Sequence, residues 1–575
     1  MSARAATAGK IPWKKIAWEL GAVALIGALG WAAHGGCLRA VFFLDDWTKI
    51  VERPQFADLH SGMEWRALTE LSFRLTGTSG VHCHLGNLLL HLLGAAAVWW
   101  LGPLFFRFAP GSGGAAGVDA RLAAFLGALL FAVHPLASEA THYARARDHE
   151  MVGLFSFLTA AATLLWIKRG GRWLPALLLA AGLDVLAKGP GPAHAALAIG
   201  AVFLFYATPE ERRRLLLNRR TLYGSLALLL VATAAIPEAV IGWTTQVTQH
   251  WGSAFFFKCG LTQDRVFWEY VRRMVWPTGL CPDHLVAMTK SWGDPGAWLA
   301  TAGVAAWGGL VAWLWRRGHR LASFLLFLIA ANLLLRWFYA MTEFLVEYRA
   351  YPSLPWLGLL GGFGLAWLWK KRTGPRRAAA VVLLAAALAA GIVLTRGRSE
   401  AWSSSEGLTD SILRQYPWQL RAFMERTYAD ALRNDPDAAL ARLPDFYARL
   451  RDVLAFNRTS DDRYYTNWPL WAVCTECNTV DALIRAGRIE AAKTLLARTR
   501  KNMEENRIDD GLLWSVWTIQ QARVENRTGR CALALARLRT IDPVDPVEYP
   551  EELALAQAGV PHRLPGKKAA PPARP

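Results

Sequence analysis

Apolar residues in this chain are gathered into long, nearly unbroken runs, and that gathering restricts the fold more than any other feature. The runs occupy about residues 16–34, 85–106, 122–137, 151–167, 173–187, 191–207, 221–243, 297–315, 321–341, 353–369 and 378–395. A bilayer core of roughly 30 Å is crossed by about 20 helical residues. Most of the runs approach that length, with 122–137 and 173–187 the weakest. Inside hydrocarbon each backbone N–H and C=O must be satisfied within its own segment, which makes each run a helix. The expectation is an all-α, polytopic membrane protein of about 11 transmembrane helices.

The net charge of +19 would suit a nucleic-acid binder, but its placement argues otherwise. Lys10, Lys14 and Lys15 precede the first run, and Lys168, Arg169 and Arg172 follow the fourth. Arg212, Arg213, Arg214, Arg219 and Arg220 lie between the sixth and seventh. Arg316, Arg317 and Arg320 follow the eighth, and Lys370, Lys371, Arg372, Arg376 and Arg377 follow the tenth. Short basic loops alternating with unbiased ones obey the positive-inside rule. The same residues suit anionic lipid, so membrane lipid is the expected partner and nucleic acid is not. Residues 1–15 are then cytoplasmic, and an odd number of spans places the C-terminal region outside. The first run carries Glu19 and His34 and lacks an obvious small-residue cleavage site, so it reads as an uncleaved anchor.

With this topology the external loops are 35–84, 134–150, 244–296 and 342–353, and they hold the chemically interesting residues. Beyond residue 396 the long apolar runs stop, and an Arg-, Ala- and Leu-rich region with helical periodicity follows. Its segments 481–501 and 522–540 superpose on Gly487-Arg488 and Gly529-Arg530 as helix, Gly-centred turn, helix. Degenerate tetratricopeptide-type hairpins and an ordinary helical bundle both fit. The domains are thus a membrane domain over 16–396, an external helical domain over 397–560 and a Pro/Ala-rich tail over 561–575 that is too polar to fold alone.

Asp45 and Asp46 in "FLDDW" stand where the chain leaves the first run. A solvated loop start or a helix cap accounts for such a pair, and so does a general base, because a low-dielectric shelf raises a carboxylate toward useful basicity. His134 and Glu139 in "HPLASE" are followed closely by Arg145, Arg147 and Asp148. Lys188 ends the fifth run, Arg336 lies inside the ninth, and Glu347 and Arg349 sit in "VEYRAY". Cations at a bundle mouth suit a lipid phosphate, and an intramembrane arginine needs a partner or an anionic ligand. His82 and His84 in "HCH" do not share a helical face, so no metal site is assigned to them or to the nearby His91. Cys474 and Cys477 in "CTEC" are either a structural bridge or two free thiols. No Walker loop, dinucleotide fingerprint or HExxH stands out.

In order, "FLDDW", "WRALTELSF", "GNLLLH", "ALLFAVHPLASEA", "LAKG", "DHLV" and "VEYRAYPSLP" resemble the multispanning GT-C glycosyltransferases. Within these the chain is most similar to the transmembrane-and-tetratricopeptide-repeat protein O-mannosyltransferases and their bacterial relatives. The resemblance covers about residues 16–365. It implies an inverting transfer of sugar from a polyprenyl-phosphate donor to a hydroxyl acceptor. Asp46 or Asp45 would be the base, with Asp46 favoured, and Glu139 would position the acceptor or support the base. Arg349, Lys188 and Arg336 would hold the donor phosphate, with His134, Arg145, Asp148 and Glu347 supporting. No organic cofactor is implied, and a divalent cation stays open. The acceptor is a protein Ser/Thr or a glycolipid or polysaccharide, and a non-catalytic membrane scaffold is the contrasting reading. Two positions depart from the family pattern: Arg66-Ala67 stands for Arg-Pro, and Lys188-Gly189 for Lys-Glu.

Overall fold

The structure, a computed structural model, describes residues 13–46, 50, 66–110, 117–189, 191–217, 253–289, 291–338, 343–370, 374–459, 468–508, 510–541 and 548–558. Among these residues there is no strand. The chain divides into two compact units. The first comprises Met1–Ala40, Asp58–Leu280 and Ser291–Ser403; the second comprises Val41–Ala57, Cys281–Lys290 and Ser404–Pro575.

The first unit contains α1 (Trp13–His34), α2 (Ala67–Thr76), α3 (Gly80–Arg107), α4 (Ala120–Ala132), α5 (Ser138–His142), α6 (Arg147–Arg169) and α7 (Leu174–Ala187). It continues with α8 (Gly191–Tyr206), α9 (Pro209–Leu217), α10 (Ser253–Val275), α11 (Pro295–Arg316), α12 (Arg320–Leu334), α13 (Leu354–Lys370) and α14 (Gly374–Trp402). Among the described residues six stretches are long and apolar enough to cross a membrane: Ile16–Arg39, Gly80–Arg107, Ala144–Arg169, Pro295–Arg316, Arg320–Trp337 and Gly374–Trp402. A seventh crossing is added if Ala120–Ala132 and Pro135–His142, bent by 54° at the Val133-His134 break, are one span. The other apolar runs give the shorter helices α7, α8 and α13, and 221–243 lies outside the described residues. The chain is an integral membrane protein built from helices.

Small residues set the closest approach in this unit. Ala123 and Gly127 on α4 face Gly358 and Gly362 on α13, a small-xxx-small pair on each helix. A Cβ on Gly362 would stand 2.1 Å from the Ala123 carbonyl oxygen, and one on Gly358 would stand 2.6 Å from that of Gly127. Aromatic rings fill the neighbouring core: Phe105 stacks on Phe324 at 5.6 Å, and Trp356 meets Phe157 at 4.8 Å.

Two expected external loops contain helix. Residues 135–150 are almost wholly buried, running through α5 into α6. Their charged side chains tolerate burial because most have found partners, Arg145 in Glu70, Arg147 in the Cys83 carbonyl and Asp148 in Lys188. Within 244–296 lies α10, whose buried Cys259, Val266, Tyr270 and Met274 recur at helical spacing. A search for continuous apolar runs overlooks so amphipathic a helix.

The second unit contains α15 (Ser405–Gln415), α16 (Leu420–Leu432), α17 (Pro436–Thr459), α18 (Trp468–Arg485), α19 (Ile489–Glu505), α20 (Gly511–Arg527), α21 (Cys531–Leu538) and α22 (Glu548–Ala558). Both Gly-centred turns are present, Gly487 at φ +76° between α18 and α19 and Gly529 at φ +77° between α20 and α21. Each is followed by an N–H reaching back into the helix, Arg488 to the Leu483 oxygen at 2.8 Å and Arg530 to that of Glu525 at 2.9 Å. Such a left-handed C-terminal cap needs glycine for want of a Cβ. Phe423, Phe446, Val480, Leu496 and Trp517 form the core of the hairpins. Buried Arg523 ties them further through Asp481 at 2.7 Å and Glu552 at 3.3 Å.

Candidate functional site

Asp148, one residue into α6, is the hub of the first unit's polar centre. One of its oxygens, Oδ2, takes Arg66 Nη1 at 2.9 Å and Lys188 Nζ at 3.0 Å. The other, Oδ1, lies 2.7 Å from His149 Nδ1. Lys188 Nζ also lies within 3.0 Å of the His149 ring nitrogens, and Arg336 Nη2 is 3.4 Å from His149 Nε2. Asp148 and Lys188 are buried, while the Arg66 side chain is 37% exposed. Arg66 and Lys188 thus share one oxygen of this carboxylate, His149 faces the other, and Arg336 reaches the His149 ring.

Tyr348 joins this centre to a second one. Its ring lies 4.4 Å from that of His149 and 6.0 Å from Lys188 Nζ, and its backbone N–H donates to Glu139 Oε2 at 2.8 Å. Burial pushes the Tyr348 phenol up from its ordinary value. Glu139 on α5 is buried within electrostatic reach of Glu347, Arg398 and Arg349. Glu347 pairs with Arg398 at 3.0 Å, and Arg398 also donates to the Leu280 carbonyl at 3.1 Å. Arg349 donates to the Glu343 carbonyl and lies 3.4 Å from that residue's carboxylate. The structure therefore gathers Asp148, Lys188 and Arg336 into one centre, and Glu139, Glu347 and Arg349 into its neighbour.

Two supporting candidates stand apart. Arg145 is paired with Glu70 of α2 at 2.8 Å. His134 receives the Leu136 N–H at 3.2 Å and lies 3.0 Å from the Met274 carbonyl, so it caps the break in the span. His82 is exposed while His84 and His91 are buried. Among the described residues no group of three or more His, Cys, Asp or Glu is placed to hold a metal ion. Cys474 and Cys477, one turn apart on α18, are not joined by a disulfide.

Asp45 and Asp46 belong to the second unit. Asp46 is fully buried and Asp45 is exposed, so the adjacent acids face different surroundings. The Asp46 N–H donates to the Phe43 carbonyl at 3.0 Å, and Asp46 Oδ2 receives the Phe43 N–H at 3.2 Å. That reciprocal pair closes a tight turn. Leu44 within it has φ +47°, a left-handed conformation that disfavours a side chain. Glu425 of α16 receives the Leu44 N–H at 3.4 Å. Burial raises the Glu425 carboxyl to about 7 against the opposing pull of Arg421.

No protein-family model matches the chain, and no curated protein matches it significantly. Among solved structures it is similar to the crystal structure of ArnT from Cupriavidus metallidurans bound to undecaprenyl phosphate. The likeness covers 85% of this chain and 80% of that one, with 16% identity and a TM-score of 0.37. No residue role follows from a likeness at that level.

Sequence reasoning overlooked His149, Tyr348, Arg398 and Glu425. His149 had a signal, since it adjoins Asp148 at the head of a long apolar helix. Arg398 had one too, as a cation within the last long apolar helix. Tyr348 acts through its backbone and its ring, and Glu425 is one acid among many on helices with ordinary periodicity. Neither could be told apart without the fold.

Proposed function

We propose that this protein is an inverting membrane glycosyltransferase that moves a sugar from a polyprenyl-phosphate donor to a hydroxyl acceptor. The cluster of cations at Asp148 and His149 carries the reading: Lys188 and Arg66 on the carboxylate and Arg336 beside the ring gather positive charge in one place. A phosphate leaving group departs as an anion and needs charge stabilisation more than a proton donor. In the transfer the acceptor oxygen forms a bond to the anomeric carbon as the bond from that carbon to the phosphate oxygen breaks. The acceptor proton passes to the Asp45–Asp46 pair, with Asp46 favoured as the base and Asp45 as the solvent-facing acid beside it. Lys188, Arg336 and Arg349 take up the phosphate charge, and Glu139 orients the acceptor side. The seven motifs in family order support the same assignment. The orientation that fits has the N-terminus in the cytoplasm and the helical unit outside. The acceptor class that fits is an exported polypeptide bearing Ser or Thr, with tetratricopeptide-like hairpins to present it.

The test is sugar transfer in isolated membranes from labelled polyprenyl-phosphate sugars, comparing wild type with Asp46→Asn, Asp45→Asn and Lys188→Met. Label should enter protein, and Asp46→Asn should abolish it while the chain still inserts. Label in lipid or polysaccharide would replace the acceptor assignment. Silence of wild type across several donors would leave a membrane-anchored scaffold as the better account.

A further inference from the structure

The turn that carries the two acids is held by a residue more than 370 positions away in sequence, Glu425 of α16. Phe43 anchors the turn through its buried ring. The reciprocal Phe43–Asp46 hydrogen bonds make residues 43–46 a single closed piece, so whatever fixes Leu44 also fixes the direction of Asp45 and Asp46. Leu44 needs such fixing because its φ of +47° is a conformation that leucine rarely adopts. Its N–H finds an acceptor in Glu425 Oε2. Strained backbone of this kind persists where surrounding contacts over-determine it.

We propose that Glu425 is a positioning residue for the Asp45–Asp46 pair: by holding the Leu44 N–H it keeps the left-handed turn and so aims both carboxylates. The inference rests on the reading that these acids serve the transfer. It gives the helical unit a role beyond presenting an acceptor, since a rearrangement of α16 is passed to the acids through the Leu44–Glu425 hydrogen bond. The charged and titratable groups around Glu425 are Arg421 on its own helix, Asp283, Asp45 and, on α18, Cys474. Arg421 also lies 3.5 Å from Asp283, so this cation is shared between two acids. With burial raising the Glu425 carboxyl to about 7, its charge changes near neutral pH, and the strength of the Leu44 bond changes with it.

The experiment uses the full chain in nanodiscs with Glu425→Leu, Glu425→Gln and Glu425→Asp. Hydrogen–deuterium exchange is read on peptides covering 41–46 and, as a control, on those from α16 and α18. Glu425→Leu should raise exchange at 41–46 alone and lower kcat on the order of 10- to 100-fold with the donor KM unchanged. Glu425→Gln keeps an acceptor oxygen without the charge, so it should retain most of kcat while flattening the limb of the pH profile near 7. Glu425→Asp should recover part of the loss. Unchanged exchange at 41–46 in Glu425→Leu would overturn the proposal, and so would exchange rising equally throughout α16 and α18. If exchange responds as described but wild type transfers no sugar, the Leu44–Glu425 coupling stands and the transferase reading is what fails.

Discussion

Lys188 Nζ stands 3.0 Å from Asp148 Oδ2, and both side chains are buried. The pair joins the end of α7 to the start of α6, and Arg66 shares the same oxygen. Breaking a buried pair from the acid side leaves uncompensated cations, which typically costs about 3–5 kcal/mol. Asp148→Asn should therefore lower the apparent melting temperature of the detergent-solubilised chain more than Lys188→Met, which leaves Asp148 with Arg66. The double variant should recover part of the loss. Wild-type melting for Asp148→Asn would mean that the centre is not a structural hub.

The α4–α13 contact makes a sharper prediction about packing. Gly362→Ala brings a methyl to 2.1 Å from the Ala123 carbonyl, so the helices must separate. Gly364→Ala, two residues along the same helix, meets nothing within 4 Å. The first should melt earlier or fail to accumulate in the membrane, at a cost of about 1–3 kcal/mol. The second should be neutral. Equal behaviour of the two would contradict the interface.

Arg147 binds α6 to α2 and α3 with every arm of its guanidinium. Nε donates to Asn87 at 2.8 Å, Nη1 to Ser72 at 3.0 Å, and Nη2 to the Cys83 carbonyl at 2.7 Å, all with the Phe73 ring 4.0 Å away. A lysine has the charge but not the planar fork. Arg147→Lys should cost about 2 kcal/mol or more, since hydrogen bonds made by charged groups contribute more than neutral ones. Thermal unfolding of the solubilised chain reads the loss, and a shift below one degree would deny Arg147 this role.

Glu425 gives a pH dependence whose sign is determined. Its carboxyl is raised from 4.5 to about 7 in the folded chain. Below 4.5 the folded and unfolded forms are both protonated, and the group costs nothing. As pH rises toward 7 the unfolded chain releases the proton while the folded chain keeps it, so the contribution is progressively lost. The loss amounts to about 1.4 kcal/mol per unit of difference between the two states. Glu425→Gln should thus gain melting temperature relative to wild type between about pH 5 and about pH 8. A constant difference across that range would place the titration elsewhere.

Parts of the site were legible before the fold was known. Asp148, Lys188 and Arg336 stand out as charges set in or beside apolar runs, where a charge needs a partner. Their mutual distances were not legible, because they come from α6, the end of α7 and the 3-10 turn Leu335–Phe338 that follows α12. The burial of one supposed loop was hidden for a different reason. Residues 135–150 are polar enough to look solvated, yet Arg145 with Glu70 and Asp148 with Lys188 neutralise one another inside the bundle. Hydropathy counts each side chain alone and cannot see a pair.

The sequence by itself determined that the chain crosses a membrane as helices, that residues beyond 396 change character, and that glycine turns at Gly487 and Gly529 divide helical hairpins. Those properties are local: apolar length, composition and the freedom of glycine at positive φ decide them one segment at a time. Only the tertiary structure decided which cations meet Asp148, that Tyr348 bridges two centres, and that Glu425 reaches the turn bearing Asp45 and Asp46. These are contacts between residues tens to hundreds of positions apart. The energy of a buried charge depends on what surrounds it in space, and no stretch of sequence contains that information.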